Sequence, residues 1–324
     1  MTYRVLIVGL GQIGLGYDLG GAPAEQVYSH ARAVSRHPAF TLVGGVDGAP
    51  RQRALLSEHY GCPAYADLAE ALARQEIDVL IIAAPTAQHG AILRQALELA
   101  RPRLVLCEKP LAYELAEARA MEALCRERGV ALYVNYMRRA DAAVVEVRRR
   151  IESGAIAGPL KGVCWYSKGF QHNGSHFFNL LEYWLGPMRS AQVIAAGRLW
   201  DGVDAEPDAR VVFGAGGVLF LAAREEAFSH YTIELLAANG RLRYEQGGRR
   251  VEWQAAVAGA LPGYTVLSPE AELLPDGMAR YQWHVAEQMA AALGGAAAQL
   301  CSGAEALATL ESMHTITEQR QARI

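Results

Sequence analysis

Tyr3-Arg4-Val5-Leu6-Ile7-Val8-Gly9-Leu10-Gly11-Gln12-Ile13-Gly14 decides how the rest of this chain is read. Val5 to Val8 are apolar without a break, the mark of a strand buried on both faces, as in a parallel sheet. Gly9, Gly11 and Gly14 follow at G-x-G-x-x-G spacing. That spacing serves a tight turn, close backbone approach to a pyrophosphate, and close packing of the next helix. A glycine triplet alone is weak evidence and also fits a plain turn before a helix. It gains weight from a second apolar run, Phe40 to Val46, which ends in Asp47. A carboxylate at the tip of the second strand is where this fold holds the adenosine ribose hydroxyls. Gly9, Gly11, Gln12, Ile13, Gly14 and Asp47 are therefore expected to bind a nicotinamide dinucleotide. The expectation is NAD, because Asp47 repels a 2′-phosphate; Arg51, four residues on, leaves NADP open.

The totals fit a two-domain enzyme with a sizeable core. The chain has 324 residues, 52% hydrophobic and 20% charged, enough for two domains sharing a cleft. A formal charge of -3 gives no basic surface for nucleic acid. The start runs straight into a strand and no apolar run reaches membrane-spanning length, so a cytoplasmic protein is expected. Cys62, Cys107, Cys125, Cys164 and Cys301 form no C-x-x-C pair, which favours reduced thiols over a disulfide or zinc framework. Cys107 reads as a small core residue.

Helix and strand signals alternate from residue 3 to about 135, predicting β-α-β units on a parallel sheet. The fold class is α/β: a Rossmann dinucleotide-binding domain over 1–134, then an α+β domain over 135–324. One irregularity comes early. Gly16-Tyr17-Asp18-Leu19-Gly20-Gly21-Ala22-Pro23 interrupts the first helix, which resumes near Tyr28 and runs to His37. This insertion is either a loop over cofactor or substrate, or decoration; His30 beyond it reads as structural. The next buried strand, Asp78 to Ala84, ends in Pro85-Thr86. Strand tips at the carboxyl edge are where ligands lie, so Pro85, Thr86 and His89 are expected near the nicotinamide half. Leu104 to Cys107 delivers Glu108-Lys109-Pro110 to the same edge. There the Lys109 ammonium can hold a substrate hydroxyl or help move its proton, and Pro110 stiffens the turn that aims it.

The order of these features resembles the glucose–fructose oxidoreductase / inositol dehydrogenase / MocA family. The motifs that carry it are G-x-G-x-x-G, Asp47, Ala84-Pro85-Thr86-x-x-His89 and Glu108-Lys109-Pro110. The tripeptide at this distance from the glycine turn is the specific part. The resemblance covers essentially the whole chain and is strongest in the first half. It implies a second domain with a mostly antiparallel open sheet that commonly builds dimers, hence a homodimer or homotetramer. It also implies that Glu108 and Lys109 belong to the cofactor site.

In the second half, β-branched runs at Leu160 to Lys168, Val211 to Phe213, Val218 to Leu221, Tyr231 to Leu236 and Val251 to Trp253 predict strands. Asn239-Gly240 is a hairpin signal. Apolar helices at Tyr281 to Leu293 and Glu305 to Ile316 end the chain. By the resemblance, His176 at the start of an apolar helix is the family's catalytic histidine. His172, four residues earlier, stands where many relatives carry Asp, and Asn179 likewise. An Asp at 172 would pair with the lysine; an imidazole would not. His172 and His176 at i, i+4 also allow a zinc reading, but no third ligand is evident, so no metal is expected. A pair of hydrogen-bonded structural histidines is the blandest reading.

The implied function is NAD(P)-dependent hydride transfer between nicotinamide and a carbinol carbon of a sugar, sugar acid, cyclitol or nucleotide-linked sugar. His176 is the general base and Lys109 the oxyanion holder. His172, Asn173, Tyr136 and Arg138 are expected to touch substrate, and Arg138 with Arg139 hints at an anionic one. Two rivals stand beside it: a redox-neutral epimerase, lyase or glycosidase using the same cofactor, and a non-catalytic dinucleotide sensor. Trp165, Tyr166 and Phe170 either stack on a sugar ring or fill the sheet face.

Overall fold

The computed structural model describes residues 2–21 and 23–322. The chain divides into two compact units. One is Met1–Ala140 with Ala279–Leu307; the other is Asp141–Met278 with Ala308–Ile324. The single cut expected at 134/135 thus falls six residues later in the structure, and a C-terminal segment returns to the first unit.

In the first unit β1 (Tyr3–Val8), α1 (His30–Arg36), β2 (Phe40–Val46), α2 (Pro50–Tyr60), β3 (Ala64–Tyr65), α3 (Leu68–Arg74), β4 (Val79–Ile82), α4 (His89–Leu99), β5 (Leu104–Cys107), α5 (Leu115–Arg128) and β6 (Ala131–Val134) alternate. The described strands form the order β6-β5-β4-β1-β2-β3, extended beyond β6 by Cys301–Ser302. All pairs are parallel except that last one. The reversal of strand order beside β1 is the topological switch point of a doubly wound sheet, where ligands bind. Val5, Leu6 and Ile7 are 0% exposed, as a strand covered on both faces requires.

The insertion is looped out of a helix. Helical hydrogen bonding starts in the glycine turn, with Leu15 N–H donating to the Gly11 carbonyl and Tyr17 N–H to that of Gln12. The ladder is then completed by residues that return from far along the chain. His30 N–H donates to Ile13 O and Ala31 N–H to Gly14 O, both at 3.0 Å. The excursion is pinned by Asp18, which is buried; its carboxylate accepts from the N–H of Tyr28 and Ser29 and from the Ser29 hydroxyl. Ser29 then caps α1 by accepting from Arg32 N–H, a standard start for a helix. The helix expected near Tyr28 therefore begins at His30. Ala22 lies outside the described residues.

The second unit carries α6 (Ala142–Glu152), β7 (Leu160–Tyr166), a π-helical turn at Gly169–Gly174, and α7 (Ser175–Leu185). Its strands continue as β8 (Met188–Ala195), β9 (Leu199–Trp200), β10 (Asp204–Ala205), β11 (Asp208–Phe213), β12 (Gly216–Ala222), β13 (Thr232–Ala237), β14 (Gly240–Glu245), β15 (Arg250–Ala258), β16 (Thr265–Leu267) and β17 (Glu272–Leu273). Among the described residues the large sheet has the order β16-β15-β14-β13-β7-β12-β11-β8, with β17 beside β15. Only β7 and β12 pair in parallel within it, so the sheet is mostly antiparallel. One face packs on α7, where Phe177, Phe178, Leu180 and Leu181 are buried with Tyr166, Phe170 and Phe220. Tyr166 and Phe170 thus fill the core, while Trp165 is 39% exposed. The Asn239-Gly240 signal marks a real hairpin, in which Ala237 pairs with Gly240 and Gly240 already belongs to β14. The chain ends with α8 (Tyr281–Leu293), the short strand β18 (Cys301–Ser302) and α9 (Gly303–Gln321).

Candidate active site

In the first unit a cleft of about 700 Å³ is lined by Val8, Gly9, Gly11, Asp47, Pro85 and Gln88 among others. Local geometry explains the glycines. Gly9 has φ +95°, and a β-carbon there would sit 2.5 Å from the Ala83 backbone. At Gly14 it would strike the Gly9 carbonyl. Gly11 differs: a β-carbon there would meet no protein atom within 4 Å. The protein itself does not require glycine at 11; a ligand pressed against that backbone would. Asp47 is held by the backbone, one oxygen accepting from Leu10 N–H and the other from Ala49 N–H, both at 2.8 Å. Arg53 donates to the carbonyls of Asp47 and Gly48. This donor and acceptor set fits a dinucleotide with free ribose hydroxyls.

The strand tips follow the expected edge with one correction. His89 is 0% exposed. Its ring nitrogens lie 3.1 Å from the Leu111 carbonyl oxygen and 2.9 Å from that of Ala84. It therefore ties the tip of β4 to the turn after β5 and offers no surface to a cofactor. Thr86 opens the short helix Thr86–Gln88. Gln12 and Ile13 lie in the turn after Gly11, the carbonyl of Ile13 being the acceptor for His30 N–H.

Glu108 is the fixed point beside Lys109. Its Oε1 accepts from Asn135 Nδ2 at 2.7 Å and faces His30 Nε2 at 2.8 Å. Burial alone would raise the Glu108 carboxyl; the hydrogen bonds from His30 and Asn135 and the Lys109 charge outweigh it and leave it below its ordinary value. His30, read from sequence as structural, is buried and orients the Glu-Lys-Pro turn. Nothing in the sequence could pair residues 30, 108 and 135 except the fold itself. Tyr136 and Arg138 are buried, at 5% and 8% exposed. Arg139 is committed to Glu305 at 2.6 Å, so half of the arginine pair that hinted at an anionic substrate is spent inside the first unit.

In the second unit His176 is the second residue of α7 and 7% exposed. The turn before it is built by the β9–β10 hairpin, which sequence reading missed. Asp204 accepts from Gln171 N–H at 3.1 Å and His172 N–H at 2.7 Å, and Glu206 accepts from Gly169 N–H at 3.0 Å. Burial lifts the Asp204 carboxyl above its ordinary value, although the His172 and Gln171 hydrogen bonds oppose it. Gly169, at φ +76°, leaves the space Asp204 occupies. His172 is exposed, its ring stacked on Trp200 with centroids 5.2 Å apart and 15° between planes. Asn173 donates to the Ser167 carbonyl at 3.1 Å. Asn179 is fully buried, donating to Thr309 at 2.9 Å, and so belongs to the packing of α7 on α9.

A π-helical turn separates His172 from His176, so the two do not share one face of an α-helix as a zinc pair would. Among the described residues no three His, Cys, Asp or Glu side chains gather as metal ligands. All five thiols are free and buried; burial pushes Cys62 up to about 11 and Cys125 to about 12. No helix among the described residues is long and apolar enough to cross a membrane.

Glycine turn, ribose carboxylate and switch-point cleft define the first unit as a dinucleotide-binding Rossmann domain. Residues 3–136 match the family described as "Oxidoreductase family, NAD-binding Rossmann fold" (Gfo/Idh/MocA). A Bacillus subtilis scyllo-inositol 2-dehydrogenase (NAD(+)) is 31% identical over 169 residues, which are 52% of this chain and 44% of that protein. The chain thus spans under half the length of that curated relative. Over the whole chain the fold is similar to that of the WlbA dehydrogenase from Bordetella pertussis, solved with NADH and UDP-GlcNAcA. That match has TM-score 0.76 and 18% identity and covers 100% of this chain and 98% of the other. An oxidoreductase from Agrobacterium radiobacter, solved with NAD+, L-tartaric acid and magnesium, gives TM-score 0.74 at 19% identity and covers 100% and 98%.

Proposed function

We propose that this protein is a dehydrogenase that transfers hydride between C4 of the NAD nicotinamide and a carbinol carbon of a sugar or cyclitol. The observation that carries this reading is the Glu108-Lys109-Pro110 turn. It leaves β5 on the carboxyl edge that also bears Gly9, Asp47 and Pro85, and Glu108 is locked there by His30 and Asn135. The backbone that carries Lys109 is thereby held at this edge, which favours a preorganised charge.

Gly9, Gly11, Gly14, Asp47 and Pro85 hold the dinucleotide, and Glu108 fixes the turn beside it. NAD, when bound, supplies the hydride chemistry. The chain's own residues do the rest. By the family resemblance His176 is the general base toward the reacting hydroxyl and Lys109 the group that stabilises negative charge on oxygen, with His172, Tyr136 and Arg138 as the substrate contacts. Asp47 favours NAD by repelling a 2′-phosphate; Arg53 is engaged with the Asp47 and Gly48 carbonyls, whereas Arg51 is exposed and leaves NADP open.

Single-turnover reduction of bound NAD tests the chemistry. Lys109→Ala and His176→Ala are each expected to slow it by about 10²–10⁴-fold; near-normal rates in both would remove the mechanism. The oligomer expectation is supported by the open face of the large sheet, where Leu219 is 38% and Leu236 49% exposed. They line a shallow cleft of ≈ 720 Å³ with Lys161, Arg210 and Glu234. Light scattering showing a monomer at micromolar concentration would contradict a dimer through that face.

A further inference from the structure

We infer that the stacked rings of Trp200 and His172 are the platform on which the substrate ring lies, and that they select uncharged cyclic polyols over carboxylate-bearing substrates. This rests on the oxidoreductase reading above and names its substrate class.

One hairpin grips residue 172 twice. Trp200 on β9 pairs with Asp204 on β10. Asp204 takes the His172 backbone N–H at 2.7 Å, and the Trp200 indole backs the His172 imidazole at 15°. Backbone and ring plane of His172 are thereby both fixed. The residue is exposed, four positions before His176 on the turn that opens α7. A fixed aromatic face at such a place binds the C–H face of a saturated ring, because aromatic rings attract the positive edges of C–H bonds.

The charges of the same turn argue against an anion. A turn that opens a helix is ordinarily an anion site, since its N–H groups and the helix dipole favour negative charge. Here the N–H groups of Gly169, Gln171 and His172 already donate to Asp204 and Glu206. Among the described residues only Glu206 of the two has a guanidinium partner, Arg198 at 2.6 Å, and Arg198 is shared with Glu226. A substrate carboxylate brought to this turn therefore meets filled donors and a second set of carboxylates.

The probes are scyllo-inositol, whose hydroxyls are all equatorial and whose faces are C–H only, and D-glucuronate, a ring with a carboxylate. Saturation-transfer NMR on the NAD-loaded chain should show transfer to the scyllo-inositol C–H protons in wild type and Trp200→Phe, and its loss in Trp200→Leu. KM for scyllo-inositol should rise about tenfold in Trp200→Leu with kcat falling less than about threefold, and glucuronate should be the poorer substrate of wild type. His172→Ala keeps the Asp204 backbone bond and supplies the same test if Trp200→Leu loses its hairpin. An unmoved KM in the folded Leu or Ala variant, or a preference for glucuronate, would overturn the platform. If wild type oxidises neither probe but transfer appears and disappears with Trp200, the dehydrogenase reading fails and the platform stands. No transfer to either ring in wild type overturns the platform.

Discussion

At Gly9–Gly14 and again at Gly169–Gly174 the chain turns from a strand into a helix, and the two turns are finished in opposite ways. The first is left open: nothing of the protein stands within 4 Å of where a Gly11 side chain would begin. One carboxylate, Asp47, reaches it, accepting from Leu10 N–H and from Ala49 N–H. The second is closed by the protein's own anions, Asp204 and Glu206. The same helix-opening geometry thus makes a seat for pyrophosphate in one unit and a sealed, neutral-seeking wall in the other. What a turn can bind depends on which of its donors the rest of the fold has already used.

Substitutions at the two glycines of the first turn sharpen this contrast most. Gly11→Val is expected to weaken NAD binding by about 100-fold or more, with a melting temperature within a few degrees of wild type, because only the ligand space is filled. Gly9→Val is expected to cost about 3–5 kcal/mol of stability, since φ is +95° and the Ala83 backbone is 2.5 Å away. Denaturant melts and NAD titrations separate the two. Equal destabilisation by both would show that the first turn is not open.

In the second turn, Asp204→Ala removes a carboxylate that accepts two backbone N–H groups. It should cost about 1–3 kcal/mol and raise the polyol KM, while the NAD dissociation constant stays within about twofold. A changed NAD affinity with an unmoved KM would break the division of labour between the turns. At Asp47, replacement by Ala should narrow the preference for NAD over NADP by about tenfold, read from the two dissociation constants. An unchanged ratio would shift cofactor choice to other residues.

The smallest effect concerns pH. Glu108 lies below the usual 4.5, so the folded state favours its charged form. That stability is present above the unfolded value and is lost as pH falls through the folded one. Wild type should therefore lose more melting temperature than Glu108→Gln between pH 6 and pH 3. Parallel curves would mean that the His30 and Asn135 contacts do not stabilise the charged carboxylate.

The two turns also differ in how well sequence reveals them. The first is written in consecutive residues and in Asp47, and the strand tips at Pro85 and Lys109 follow from apolar runs that end abruptly. His89 misled because a histidine at a strand tip looks ligand-facing, whereas its nitrogens face the Ala84 and Leu111 carbonyls inside the fold. The second turn depends on acceptors 32 to 37 residues downstream. Asp204 lies on a strand only two residues long and Glu206 just beyond it, too short an element to leave a periodic signal. The strand β8 was missed for a related reason: its residues are mostly exposed and lack clean alternation. The return of Ala279–Leu307 to the first unit likewise has no local mark, because packing partners rather than helix propensity decide where α8 docks.

Stopped-flow absorbance of the reduced nicotinamide, with the NAD-loaded chain mixed against scyllo-inositol bearing hydrogen or deuterium at its carbinol carbons, is the most direct trial of the central claim. The account predicts a first turnover slowed severalfold by deuterium and abolished in Lys109→Ala. No formation of reduced nicotinamide with any ring polyol, or a signal of equal size and rate in Lys109→Ala, would contradict it.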